Sequence, residues 1–206
     1  MGPENERQKM NRKQKVLLIV LAMIAVSLIV SSLLVFGVLP RVLKNRFKLK
    51  YTEYICSYSR EYDLDPTLVA AVIYTESGFR ENATSRVGAR GLMQIMPDTG
   101  REIAEALGES FSEDLLYQPE VSIRYGSYYL RRLLDRFDQN PAVALAAYNA
   151  GPHRAELWIA EYGLDSKGHI CYIPYGETDQ YVKRVLQAQE NYAHLYSDEL
   201  TLQTED

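Results

Sequence analysis

Residues 16 to 39 carry no charged side chain, and 24 helical residues at about 1.5 Å each reach about 36 Å, enough to cross the hydrocarbon core of a bilayer. The sequence therefore reads as a transmembrane helix over 16–39, a basic tail over 1–15 on the cytoplasmic side, and a basic linker over 40–50. A cleaved signal peptide is the rival reading, but its apolar stretch normally runs only about 7 to 15 residues. Charge does not decide the orientation. Arg7, Lys9, Arg12, Lys13 and Lys15 on one side face Arg41, Lys44, Arg46, Lys48 and Lys50 on the other, and the positive-inside bias is nearly balanced. The short N-terminal tail most simply stays inside, which leaves the folded part outside.

What folds in water must come from the roughly 155 residues after the apolar run, enough for one domain with a sizeable core. Beyond residue 50 there are 13 Lys and Arg against 25 Asp and Glu, a net of −12 hidden by the whole-chain value of −4. Such a surface disfavours nucleic acid as a partner. The pattern is helical almost throughout, with helices expected over 50–62, 66–77, 97–107, 119–137, 141–150, 153–161 and 178–196. Ile123, Leu130, Leu133, Leu134 and Phe137 fall at core-like spacing on the fourth of these. An acidic tail occupies 197–206, with Asp198, Glu199, Glu205 and Asp206.

One carboxylate stands out. Asp65 is a good N-cap, Pro66 suits the first helical position, and Gly78 ends the helix between them. Val69, Val72, Ile73 and Glu76 then share one face, so Glu76 lies on an apolar side. Burial there, and the negative end of the helix dipole, would both raise its pKa toward a value suited to proton donation near neutral pH. The plainer alternative is a last-turn glutamate reaching water past the core edge.

Three further blocks add ligand-binding chemistry. Gly88-Ala89-Arg90-Gly91-Leu92-Met93-Gln94-Ile95-Met96-Pro97 combines close-approach glycines with an amide and two thioethers ahead of a Pro-started helix. Ala146-Ala147-Tyr148-Asn149-Ala150-Gly151-Pro152 leaves an aromatic ring and an amide at a helix end. Ile173-Pro174-Tyr175-Gly176-Glu177-Thr178 leads into a helix on which Glu177 and Tyr181 are four residues apart. Each block alone also fits an ordinary helix turn or a core tyrosine. Tyr172 and Tyr175 are candidates for stacking on an apolar ligand face.

Taken together, the blocks resemble the soluble lytic transglycosylase (SLT, family 1) type within the lysozyme-like superfamily. The resemblance covers residues 51–196. It rests on Glu76-Ser77 with Phe79, Ala83 and Ser85; on Gly88-Ala89, Gly91-Leu92-Met93-Gln94, Met96-Pro97 and Thr99; and on Ala147-Tyr148-Asn149-Ala150-Gly151. All occur in the family's order. Arg80-Glu81 stand where the family often has Asn-Pro, and Asp179 stands where arginine usually follows the Glu-Thr pair.

The resemblance implies a mainly α, lysozyme-like helical domain, which the apolar run places behind a single N-terminal transmembrane helix. It also implies a peptidoglycan lytic transglycosylase; with the apolar run as anchor, the expected location is the bacterial cell membrane, with the catalytic domain on the extracytoplasmic side. Such an enzyme cleaves the β-1,4 bond between N-acetylmuramic acid and N-acetylglucosamine and leaves 1,6-anhydromuramic acid. By position, Glu76 would be the catalytic acid and base. Ser85, Gln94, Met96, Tyr148, Glu177 and Tyr181 would line the groove, and Asn149 would support Tyr148. Its partners would be glycan strands and, through residues 16–39, the bilayer; no cofactor is implied. A hydrolytic muramidase of the same fold, or a non-catalytic wall-binding scaffold, are the alternatives.

Cys56 and Cys171 are the only cysteines, and either a bridge or two free thiols is compatible with the sequence. His153, His169 and His194 have no ligand-cluster spacing, so no metal site is expected.

Overall fold

The structure, a computed structural model, describes residues 12–201. The basic tail up to residue 11 and the acidic tail from 202 on lie outside the described residues. The chain divides into two compact units, residues 1–46 and 47–206.

The first unit is one long apolar helix in three pieces. α1 is Arg12–Ser32, a π-helical stretch follows at Leu33–Val38, and α2 is Leu39–Arg46. The whole rod, Arg12–Arg46, is long and apolar enough to cross a membrane. The basic residues read as a linker are thus helical up to Arg46, and the second unit starts at Phe47, within that stretch.

The second unit is built from α3 (Thr52–Glu61), α4 (Pro66–Ser77), α5 (Pro97–Leu107), a short 3-10 helix at Glu113–Tyr117, α6 (Pro119–Arg136), α7 (Pro141–Ala150), α8 (Pro152–Tyr162) and α9 (Gly176–Leu195). The helices expected from periodicity all form, with ends shifted by at most two residues; the 3-10 helix was not anticipated. Five of them place proline in the first turn, where the missing N–H costs nothing. Among the described residues there are only isolated bridges, Thr84 with Arg90, Arg90 with Ile95, and Leu164 with Ile170.

Two helices form the centre because they are apolar all round. α4 buries every residue from Leu68 to Ile73, and α7 every residue from Ala142 to Ala147; a helix without a polar face must be enclosed. α9 packs on both. It is amphipathic and turns Tyr181, Val185, Ala188, Tyr192 and Leu195 inward at three- and four-residue spacing. α6 closes the other side of α7 and carries α3, burying Ile123, Leu130, Leu133, Leu134 and Phe137.

Phe47 is 8% exposed and joins this core. Its ring lies 5.0 Å from Tyr74 and 6.0 Å from Tyr192. The Tyr196 hydroxyl donates to the Phe47 carbonyl at 2.8 Å and the Tyr192 hydroxyl to the Lys48 carbonyl at 2.9 Å. Cys56 and Cys171 are free thiols. Cys56 donates to the Glu199 carbonyl at 3.7 Å, and Cys171 is exposed in the loop before α9.

Candidate active site

Glu76 is the penultimate residue of α4. The helix is capped at its start by the Asp65 carboxylate, which accepts from Thr67 N–H at 2.8 Å, and is stopped by Gly78 at φ 60°. Phe79 continues in the same left-handed region, at φ 61°, and is buried. A bulky residue there is strained, at a cost of about 1–3 kcal/mol, and such strain persists where surrounding packing imposes it. The turn is thereby held tight directly after the carboxylate.

The Glu76 carboxyl is enclosed on most sides and reaches the cleft with the rest. Burial pushes its pKa up to about 7, against an ordinary 4.5, while Tyr181 and Arg184 on α9 pull it partly back. Tyr181 is 2% exposed and its hydroxyl has no well-formed hydrogen bond; it lies against the carboxyl within electrostatic reach but off hydrogen-bonding geometry. The raised pKa expected from an apolar helix face is present, and burial is its principal cause.

The segment from residue 80 to 96 forms the cleft's second wall without regular structure. Its backbone is wired to itself: Arg90 and Ile95 exchange both N–H···O bonds at 3.0 Å, Gly91 N–H reaches Ala83 O at 2.9 Å, and Ser85 N–H reaches Ala89 O at 2.9 Å. Arg90 ties it to the 3-10 helix through Glu113 at 2.5 Å. Two glycines let it dock. A Cβ on Gly91, which has φ 76°, would stand 1.8 Å from the Leu116 carbonyl, and one on Gly126 of α6 would stand 2.3 Å from the Met93 sulfur.

On this wall the Ser85 hydroxyl accepts from Ala89 N–H at 3.0 Å. Gln94, at φ 49°, donates through Nε2 to the carbonyls of Ala83 at 3.1 Å and Gly91 at 2.9 Å. Both amide hydrogens are used, so Oε1 is what Gln94 offers a ligand. Met96 stands 40% exposed at the start of α5.

The third wall is the junction of α7 and α9. The Tyr148 hydroxyl donates to Met93 O at 2.9 Å, and its ring packs on Tyr129 at 5.4 Å. Burial, then the nearby Glu76, holds its pKa far above the usual phenol range, so it stays a neutral donor. Asn149 accepts from the Thr178 hydroxyl at 2.8 Å. Its side chain thus ties α7 to the start of α9 and does not brace Tyr148 directly.

Glu76, Ser85, Gln94, Met96, Tyr148, Asn149 and Glu177 all line one cleft of about 480 Å³. Tyr181 does not. The four-residue spacing from Glu177 holds, but α9 enters the core within one turn, so Tyr181 lies a layer deeper, beneath Glu76. The cleft continues into two neighbouring depressions that share its residues, one past Asn82 and Thr84 and one past Thr99 and Tyr129. Of the two stacking candidates, Tyr175 lines the cleft, whereas Tyr172 packs its edge on Tyr162 at 5.1 Å outside it. Sequence reading missed Val87 and Arg154, which also line the cleft. Arg154 had a signal: Pro152 restarts a helix directly after the Tyr148 block, so the first turn of α8 stays beside it.

The arrangement offers one elevated carboxyl at the bottom of a long groove, neutral tyrosines around it and a backbone-rigid wall opposite. Among the described residues no group of His, Cys, Asp and Glu is spaced to hold a metal ion.

Comparison with known proteins follows the same lines. The family model of the transglycosylase SLT domain matches residues 53–170. The soluble lytic murein transglycosylase of Salmonella typhimurium is 33% identical over 167 residues, 79% of this chain and 26% of that protein. The membrane-bound lytic murein transglycosylase F of Cellvibrio japonicus is 38% identical over 120 residues, 55% of this chain and 22% of that protein. The crystal structure of the 70-kDa soluble lytic transglycosylase of Escherichia coli matches with a TM-score of 0.71 and 33% identity, over 78% of this chain and 26% of that one. The chain therefore spans about a quarter of the length of these relatives.

Proposed function

This chain belongs to the transglycosylase SLT domain family and has its lysozyme-like helical fold, and from that premise we propose that it is a peptidoglycan lytic transglycosylase with Glu76 as its single acid and base. The observation that carries the proposal is the Glu76 carboxyl, held near pKa 7 at the floor of an open groove. A carboxyl that titrates there is protonated often enough to give a proton and basic enough to take one back.

Glu76 donates its proton to the glycosidic oxygen between N-acetylmuramic acid and N-acetylglucosamine as the C1–O bond breaks. The muramic acid C6 hydroxyl then bonds to C1, and its proton returns to Glu76. A 1,6-anhydro ring closes, no water is consumed, and the enzyme ends as it began. Glycosidases that use water generally require a second carboxylate as nucleophile or base; here the substrate's own hydroxyl and acetamido group take that part. The Tyr148 hydroxyl beside the carboxyl, Gln94 Oε1, the Ser85 hydroxyl and the Met96 thioether give the polar and apolar contacts that position a sugar. Tyr181 and Arg184 set the acidity from behind.

Glu177 shares the cleft with Glu76, and this favours one second reading, a muramidase in which Glu177 activates water. The products separate the two. Digestion of peptidoglycan by the full chain in detergent is expected to release muropeptides ending in 1,6-anhydromuramic acid, each lighter by one water than a muramidase product. Mass spectrometry showing mainly reducing ends would replace the transglycosylase with the hydrolase.

An apolar helix of membrane-spanning length and the membrane-bound name of one relative are consistent with membrane anchoring. With the short basic end in the cytoplasm, the domain faces the wall, where its substrate is.

A further inference from the structure

Arg154 is the cation of the main cleft, in a domain whose residues beyond 50 carry a net charge of −12. Half of the other basic side chains beyond residue 50 are already ion-paired. Arg90, Arg101, Arg124, Arg131, Arg136 and Lys183 each pair with a carboxylate. Arg154 has no ion pair among the described residues, although Glu177 lines the same cleft. Its guanidinium is held in place by neutral contacts. Nη1 donates to the Ala150 carbonyl at 2.9 Å, and the group lies over the Tyr175 ring at 5.4 Å. Tyr175 is in turn braced by the edge of Trp158 at 5.3 Å.

The Ala150 hydrogen bond and the Tyr175 ring anchor this exposed guanidinium at the cleft, and its other N–H donors have no partner among the described residues. A guanidinium so anchored can take a carboxylate through two parallel hydrogen bonds. The substrate of the proposed reaction carries such groups on every muramic acid: the carboxylates of the stem peptide, or the lactyl carboxylate where the stem has been removed. An acidic domain repels such a polymer, and one fixed cation in the groove offsets this at the point where the side branch leaves the sugar chain.

The geometry points to Arg154 as a specificity residue that takes a carboxylate of the muramic acid branch. The inference rests on the transglycosylase reading above. Its test is binding, measured by fluorescence anisotropy of end-labelled glycan strands on the full chain in detergent, with Glu76→Gln preventing turnover. The strands are stem-bearing, amidase-stripped with the lactyl carboxylate free, and stripped with that carboxylate converted to a neutral methylamide.

Adding Arg154→Gln is expected to weaken binding of at least one anionic strand about tenfold and to change binding of the neutral strand less than twofold. Loss on stem-bearing strands alone assigns the stem peptide as the source, and loss on stripped strands alone assigns the lactyl group. Equal loss on all three, or no loss on any, overturns the role. Failure of the parent reading looks different: the chain with Glu76 intact then releases no anhydro products at all.

Discussion

At Glu76 the burial that raises the carboxyl's pKa works against stability. The carboxyl ordinarily titrates at 4.5 and is raised to about 7 in the fold. Between those values the unfolded chain has released a proton that the folded chain still holds. Stability therefore falls as pH rises from about 4.5 and levels off above about 7, and a difference of this size corresponds to about 3–4 kcal/mol. Glu76→Gln removes the titration. The variant is expected to exceed its parent in stability by about 3–4 kcal/mol at pH 8 and to approach it at pH 4.5. Denaturant unfolding followed by the single tryptophan, Trp158, reads this directly. The same variant is expected to lose about two to four orders of magnitude in rate, because the amide cannot supply the proton. Parent activity should decline above pH 7 as the acid form is depleted. Activity of the variant within a few-fold of its parent would show that Glu76 is a bystander.

At the scale of elements, the helices were legible because their signals are local: Asp65 and Pro66 before one, Gly78 after it, Asn140 and Pro141 before another. The start of the folded domain was not. Phe47 sits in a basic stretch with no periodicity to mark it, and only Tyr74, Tyr192 and Tyr196, far along the chain, make it core. Its ring packs on α4 two residues before Glu76, so the entry to the domain braces the helix that carries the carboxyl. Phe47→Ala is expected to destabilise the second unit by about 3–5 kcal/mol, as loss of a buried aromatic does, read again from Trp158. A chain begun at residue 50 should show the same deficit against one begun at residue 45. A loss below about 1 kcal/mol would mean that the unit does not need this segment.

Along the chain, charge is strongly segregated: an apolar run lies between two basic stretches, and the residues beyond 50 are acidic. With the domain outside, protease added to intact cells after wall removal is expected to digest it while the N-terminal end stays protected; blotting for each end is the measurement. A protected domain beside a digested external marker would invert the topology, and a chain shortened past residue 27 and found in the medium would indicate cleavage of the apolar run. The sequence by itself determined the apolar run, the helical class, the order of the four motif blocks and the place of Glu76 on an apolar helix face, because periodicity, capping and turn chemistry act over a few neighbouring residues. Only the tertiary structure decided that Tyr181 lies beneath the carboxyl while Glu177 lines the groove. It also decided that Asn149 is tied to Thr178, that Cys56 and Cys171 stay apart, and that Arg154 and Tyr175 meet. Each of these depends on how deeply one helix is seated against another, and that depth is set by the packing of α4, α7 and α9 together, which no local stretch of sequence encodes.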